Sequence, residues 1–152
     1  MGGFALAWAG ALVLPHRSTA TVSARIVADR HTGLAIGGFD PVAYFVEQAP
    51  LPGHAHLEYS HAGATWRFRN EGNRAAFMAR PDVYTPRFGG YDPVNVARGV
   101  ATPGHPTIWI VSGKRLWLFH NNAARDAFNA GSEIVIAAAE RKWPEILRTL
   151  VQ

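Results

Sequence analysis

The sequence predicts an α+β domain in which two tandem ββα-like units share one core and further helices close the chain. Three observations predict this class. Segment 63–77 recurs as segment 114–128, each copy has strand-like runs followed by a helix-like run, and helical periodicity continues from residue 132. The chain has 152 residues, 48% hydrophobic and 17% charged, which is enough apolar material for one packed domain.

An internal repeat covers most of the chain after residue 36. Six identical residues recur at an offset of 51: Trp66/Trp117, Phe68/Phe119, Asn70/Asn121, Arg74/Arg125, Ala76/Ala127 and Phe77/Phe128. With a one-residue slip, the motif G-G-F-D-P-V at 37–42 matches G-G-Y-D-P-V at 89–94, and P-G-H at 52–54 matches 103–105. Two copies of one supersecondary unit, at about 37–88 and 89–143, are the simplest explanation.

Each copy is predicted to form a hairpin and then a helix. The alternating run TWRFR in the first copy predicts a half-exposed strand, whereas RLWLF in the second is apolar on both faces and predicts a central strand. Asn70 and Asn121 lie where strand periodicity gives way to helical periodicity, which predicts N-caps. Phe77 and Phe128 are expected to turn inward, and the repeated tryptophans to pack in the core.

The C-terminal third is predicted to be helical. Pro81 and Gly131 are expected to end the helices of the two repeats. A further helix is predicted from Ser132 to Lys142, and a last one with Pro144 as its first residue. That last helix would turn Ile146, Leu147 and Leu150 to one face.

The first 24 residues have the layout of a secretory leader. Residues 4–14 are uncharged and mostly apolar, and a small-residue stretch with candidate cleavage positions follows. Eleven residues span about half of a bilayer core as a helix, so no membrane span is expected. Because residues 1–3 lack a basic side chain, a buried helix and an uncleaved anchor remain alternatives. We expect a leader at 1–24, a domain at 25–152 and a periplasmic or secreted location.

Composition and motifs exclude several classes of function. The absence of cysteine removes thiolate metal sites and cysteine nucleophiles. The net charge of +4 comes mostly from scattered arginines rather than a basic stripe, so no nucleic-acid partner is expected. No G-x-S-x-G or H-E-x-x-H motif is present, and no catalytic residue is predicted.

The repeated Asp-Pro and Gly-Gly pairs have a structural and a functional interpretation. Asp40 and Asp92 precede prolines suited to a first helical position, so an N-cap or an Asx turn explains both. The functional alternative is a carboxylate held at a turn for a metal or a polar ligand. The glycine pairs that precede them predict tight turns with positive φ or a close backbone approach.

Histidines provide the other candidate ligands. His54 and His56 are two residues apart at the start of a strand, and His61 lies near the hairpin turn. Imidazoles so arranged suit Cu(II), Ni(II) or Zn(II), although a His-x-His pair in such a segment is commonly a plain surface feature. His120 lies between an aromatic residue and Asn121 at the second strand-to-helix junction, where a structural role is the alternative.

Several motifs resemble those of the small exported bacterial YHS-domain proteins, in the same order. They are LAIGGFDPVAYF at 34–45, GATWRFRNEGNRAAF at 63–77, PDVYTPRFGGY at 81–91, GKRLWL at 113–118 and AERKWP at 139–144. The resemblance implies a heavy-metal-binding module. Arg69, Asn70 and Asp92 stand where such relatives carry thiol ligands, which disfavours Cu(I) or Hg(II), while His120 stays closer to the aromatic-His-Ser signature.

These observations lead to one expected function and two alternatives. We expect an exported, non-enzymatic YHS-type module that binds a borderline divalent metal or a small ligand. The metal would be Cu(II), Ni(II) or Zn(II), held among Asp40, His54, His56, His61, Asp92 and His120. The first alternative is an accessory subunit that docks on a partner protein of the cell envelope, and the second is an enzyme.

Overall fold

A computed structural model describes residues 25–150, and the predicted leader lies outside this part of the chain. The described part is α+β, as predicted. Two 3-10 turns, Ile36–Gly38 and Arg87–Gly90, precede the two Asp-Pro motifs. The other elements are α1 (Ala43–Val46), β1 (His54–His61), β2 (Ala64–Phe68), α2 (Glu71–Ala79), α3 (Pro81–Tyr84), α4 (Pro93–Ala97), β3 (His105–Ser112), β4 (Arg115–Phe119) and α5 (Asn122–Leu150).

The strands form two separate antiparallel hairpins, β1 with β2 and β3 with β4. Equivalent residues pair in each: His54 lies opposite Phe68, and His105 lies opposite Phe119, with a register irregularity following both. Burial alternates along β2, as its sequence predicts. The prediction that β4 is a central strand is wrong, because within residues 25–150 it pairs with β3 alone and not with a strand on each side.

The core divides into two clusters, not the single shared core that was expected. Strand β4 is buried on both faces and supplies both clusters, which accounts for its unbroken apolar sequence. Its residues Leu116 and Leu118 pack with Trp66 and the other residues of the first cluster. Its residues Trp117 and Phe119 pack with the residues of the second cluster. Strand β4 thus contributes to both clusters.

The helix starts agree with the sequence prediction. The Asn70 side chain accepts a hydrogen bond from the Asn73 backbone N–H at 2.8 Å, and the Asn121 side chain accepts one from the Ala124 N–H at the same distance. Both are N-caps, since each satisfies one of the N–H groups left without a partner in a first helical turn. Phe77 and Phe128 are fully buried.

The C-terminal helix differs from its prediction. Gly131 has φ −163° and ψ 53° and interrupts α5, in agreement with the expected helix end. Pro144 lies inside the helix, so the predicted break after Lys142 is wrong. Proline removes one helical hydrogen bond, but Ala139 and Ile146 are buried in the second cluster on either side of it, and this packing offsets the loss. Among residues 25–150, no helix is long and apolar enough to cross a membrane.

The Gly-Gly turns are left-handed, as predicted. Gly37 and Gly38 have φ +65° and +80°, and Gly89 and Gly90 have φ +63° and +95°. Gly89 also permits a close approach, because a Cβ atom there would lie 1.8 Å from the carbonyl oxygen of Arg25. The backbone at Arg25 therefore packs directly against the turn before α4.

Candidate functional site

Asp40, the first candidate ligand, is fully buried and accepts four hydrogen bonds. Its Oδ1 accepts from the backbone N–H groups of Val42 at 2.8 Å and Ala43 at 3.3 Å. Its Oδ2 accepts from the backbone N–H of Arg69 at 2.8 Å and from Nδ2 of Asn73 at 2.7 Å. The carboxylate therefore joins the Asp-Pro turn to the junction between β2 and α2, and its lone pairs are taken up by protein donors.

Asp92 is placed in the same way in the second repeat. It is fully buried, and its Oδ1 accepts from the N–H groups of Val94 at 2.8 Å and Asn95 at 3.2 Å, which caps α4. Its Oδ2 accepts from the backbone N–H of His120 at 2.8 Å. Asp92 and His120 thus meet through the His120 main chain and not through its imidazole.

The His120 ring is exposed at the junction of β4 and α5. Its Nδ1 lies 3.3 Å from the carbonyl oxygen of Pro103, a long contact with the loop before β3. The neighbouring carboxylate of Asp92 is enclosed by the backbone and faces the main chain of His120. This arrangement favours the structural interpretation of His120.

The histidines of β1 divide into two locations. His54 and His56 are exposed and stack on each other, with ring centroids 5.4 Å apart and an interplanar angle of 19°. His61 lies at the other end of the strand, roughly 20 Å away for an extended chain. Its ring stacks on Tyr59 and meets the Phe77 ring edge-on at 5.8 Å.

The six predicted ligands therefore do not form one metal site. Among residues 25–150, no three His, Cys, Asp or Glu side chains are grouped so that they could hold a metal ion. The two carboxylates accept hydrogen bonds from their own turns and from the strand-to-helix junctions, and the histidines lie at the two ends of β1 and after β4. What the structure does bring together is a single pair of imidazoles, His54 and His56.

A solvent-open cleft of about 390 Å³ lies elsewhere. It is formed by the end of β1, the segment from α3 to the second 3-10 turn, and the start of β4. The polar and aromatic residues of its wall are His61, Asp82, Thr85, Arg87, Phe88 and Arg115.

Two of the charges at the cleft are neutralised by neighbours. The Arg87 guanidinium pairs with Glu140 at 2.8 Å and lies over the Phe88 ring, 5.2 Å from its centroid. The Asp82 carboxylate accepts two hydrogen bonds from Arg80, which hold the pKa of Asp82 below its usual range. These pairs fix the side chains and cancel their charge.

Arg115 is the exception. Its Nη1 donates a hydrogen bond of 2.6 Å to the Asp82 backbone carbonyl, which links the start of β4 to α3. Within residues 25–150, Arg115 has no carboxylate within 4.0 Å, and its other N–H groups make no hydrogen bond. Together with Arg80 and Glu140, the cleft region has three guanidinium groups and two carboxylates, which leaves one net positive charge.

Apart from His61, the cleft residues were not among the sequence candidates. Arg115 and Asp82 are 33 residues apart and belong to no local motif. Thr85 is a further residue that the sequence does not single out. Its hydroxyl is buried and has no hydrogen-bond partner within residues 25–150. Such orphaned hydroxyls are uncommon in folded proteins.

Comparison of the chain with protein-family models, with curated proteins and with solved structures found no match. We therefore infer function from the residues and the geometry described above. Those features are two carboxylates committed to the fold, one exposed pair of imidazoles, and one cleft with an unneutralised guanidinium.

Proposed function

We propose that this chain is an exported, non-enzymatic binding module built from two YHS-like repeats, and that it holds a small ligand in the cleft where the repeats meet. The YHS assignment rests on the ordered motifs between residues 34 and 144. The repeat assignment is supported by equivalent hydrogen bonds, since Asp40 and Asp92 bridge the same two positions in each half.

The observation that carries the proposal is that the buried carboxylates stabilise the fold, whereas an arginine at the cleft keeps free hydrogen-bond donors. Asp40 accepts four hydrogen bonds and Asp92 three, so both buried carboxylates hold separate segments of the chain together. Arg115, at the cleft, has donors to spare. Binding without turnover requires fixed donors and a surface to pack against, and the cleft supplies both.

An NMR titration of the ¹⁵N-labelled full chain tests this function. Three small aromatic compounds of matched shape serve as ligands: benzoate, benzamide and benzylamine. We expect at least one to bind saturably, to shift the amide signals around His61, Thr85 and Arg115, and to remain chemically unchanged. Absence of saturable binding by all three, saturable binding confined to another surface, or conversion of a bound compound would overturn the proposal.

A second candidate, metal binding, is favoured by the stacked rings of His54 and His56. Two imidazoles from one strand suit Cu(II), Ni(II) or Zn(II). Isothermal titration of the chelator-treated chain with each metal tests it. If the pair is a metal site, one equivalent binds and His54→Ala and His56→Ala each abolish the binding, whereas His105→Ala does not. Weak binding that is insensitive to His54→Ala contradicts it.

The interaction-subunit alternative draws less support. The largest exposed apolar side chains within residues 25–150 lie on α1, α2, the loop after α4, and α5, one on each: Val46, Met78, Val100 and Ile134. Co-purification from native envelope fractions tests this alternative, because a module that binds a small ligand is expected to elute alone. Export is tested by N-terminal sequencing of the mature chain, with cleavage expected between residues 17 and 25.

A further inference from the structure

We infer that the cleft selects an anion: a small molecule with a carboxylate or phosphate group beside a flat apolar part, its charge recognised by Arg115. This inference rests on the proposed function and names its ligand class. The relevant chemistry is that of an oxyanion, which both groups share and which a guanidinium binds through paired N–H donors.

The charge balance of the cleft is the first argument. Its wall contains the guanidinium groups of Arg87 and Arg115 and the carboxylate of Asp82. Glu140 neutralises Arg87, and Arg80 neutralises Asp82. The charge of Arg115 remains, so the wall attracts an anion and repels a cation.

The position of the Arg115 guanidinium is the second argument. Its bond to the Asp82 carbonyl uses one of its five N–H groups and holds the side chain across the junction of the two repeats. This bond restricts the rotamers of Arg115 before a ligand arrives, which lowers the entropic cost of binding. Its field reaches the Asp82 carboxylate, where it contributes to the lowered pKa.

The remainder of the wall suits the apolar part of such a ligand. Pro81, Pro86 and Phe88 line the cleft with rings, and the Arg87 guanidinium lies over the Phe88 ring. The Thr85 hydroxyl is buried and has no partner within residues 25–150, and rotation of the whole side chain about χ1 would be needed to bring it to a bound oxyanion. A ligand that combines both characters therefore satisfies more of the wall than inorganic phosphate does.

The experiment compares ligands of similar shape that differ in charge, and substitutions of arginines inside and outside the cleft. Dissociation constants are measured by isothermal titration of the full chain with benzoate, phenyl phosphate, benzamide and benzylamine. We expect the dissociation constants of both anions to be at least about tenfold lower than that of benzamide, and benzylamine to bind most weakly. The stronger of the two anions then identifies the source of the charge, carboxylate or phosphate.

Two variants locate the binding energy. Arg115→Gln is expected to reduce anion affinity at least tenfold and to leave benzamide binding within twofold. The matched control Arg98→Gln removes an exposed arginine at the end of α4 and is expected to change neither. Arg115→Lys, which keeps the charge but loses the planar fork, is expected to fall between the two. Circular dichroism checks that each variant is folded.

The outcomes separate the two proposals. Benzamide or benzylamine binding in the cleft as tightly as the anions would overturn the anion inference and leave the binding function standing. Anion binding that Arg115→Gln does not weaken in a folded protein would also overturn the inference. If Arg115→Gln unfolds the chain, Arg115→Lys is measured instead. The inference is overturned if this variant binds both anions as tightly as the native chain does and binds benzamide equally tightly. Failure of all four compounds to bind overturns both proposals.

Discussion

Asp40 and Asp92, which are 52 residues apart, hold equivalent positions in the two halves of the molecule. In each, one carboxylate oxygen accepts from backbone N–H groups two and three residues ahead, and the other accepts from the backbone N–H at a strand-to-helix junction. Because each carboxylate connects two segments that are distant in sequence, it stabilises the contact between them.

The first prediction concerns these carboxylates. Asparagine can keep the bonds made by Oδ1 but turns an NH₂ group toward the donors that faced Oδ2. Asp40→Asn leaves two donors unsatisfied and Asp92→Asn leaves one. At about 1–3 kcal/mol per buried unsatisfied group, we expect Asp40→Asn to lower the free energy of unfolding more than Asp92→Asn. Urea denaturation measures both.

The exposed Asp126→Asn is the control for this comparison and should change stability by less than about 0.5 kcal/mol. If Asp40→Asn and Asp92→Asn were as stable as this control, the carboxylates would not have the structural role assigned here. Loss of metal binding from a fully stable Asp92→Asn would restore the ligand interpretation.

The second prediction concerns Gly89. An alanine there would strain a left-handed residue and drive its Cβ into the Arg25 carbonyl, so residues 25–28 must leave the turn. Gly99→Ala is the matched control, because Gly99 also has positive φ but has nothing within 4 Å of its Cβ position. The control costs about 1–2 kcal/mol from backbone strain alone. Gly89→Ala is expected to cost more.

Hydrogen exchange locates that extra cost. The Val27 N–H donates to the Gly89 carbonyl at 2.8 Å, and its protection should fall in Gly89→Ala and persist in Gly99→Ala. Equal unfolding free energies for the two variants, with Val27 still protected, would contradict the close approach.

The third prediction is an alkaline loss of stability governed by Tyr44. Its buried hydroxyl donates to the Pro106 carbonyl at 2.7 Å, and burial, reinforced by the charge of Asp40, raises the pKa of Tyr44 far above its usual range. The unfolded tyrosine ionises near pH ~10, so this contribution is complete below pH ~10 and is lost as pH rises toward the folded pKa. We expect unfolding free energy to fall more steeply above pH ~10 in the native chain than in Tyr44→Phe.

At neutral pH, Tyr44→Phe is expected to cost about 1–2 kcal/mol, since it leaves the Pro106 carbonyl without its donor. Tyr84→Phe is the control, because the Tyr84 hydroxyl makes no hydrogen bond within residues 25–150. Parallel alkaline slopes in the native chain and in Tyr44→Phe would show that Tyr44 is not the group responsible.

The fourth prediction concerns acid. Hydrogen bonds from the backbone N–H and hydroxyl of Thr32 and from the His31 N–H hold the pKa of Asp29 below its usual range. Its contribution is therefore present above pH ~4 and is lost as pH falls through the lower folded pKa. Asp29→Asn keeps an acceptor oxygen but does not titrate, so its stability should fall less between pH 4 and 2, measured by thermal unfolding. An unchanged acid slope would contradict this.

Local features of the fold could be predicted from the sequence, because their causes lie within a few residues. Asn70 and Asn121 cap their helices, and the left-handed Gly-Gly turns follow from the conformational freedom of glycine. Pro144 could not be placed correctly, because the rule that it ends a helix is outweighed by packing of α5 against α4 and the second cluster. That packing is long-range and leaves no local signal.

The candidate site was predictable only in part, for the same reason. Both roles of the aspartates were foreseen, and the structure favours the turn over the ligand because it supplies donors from strands about thirty residues away. The cleft could not be predicted, because two long-range properties distinguish Arg115. It has no ion-pair partner within residues 25–150, and it donates a hydrogen bond to the backbone of Asp82, which is 33 residues away. Neither property belongs to a motif.

A crystal structure of the chain with p-bromobenzoate tests the central claim most directly, because anomalous scattering from bromine locates the ligand without ambiguity. We expect the bromine in the cleft near Phe88 and the ligand carboxylate within about 3.2 Å of the Arg115 guanidinium. A bromine at full occupancy on another surface, or a carboxylate directed away from Arg115 within the cleft, would contradict the account.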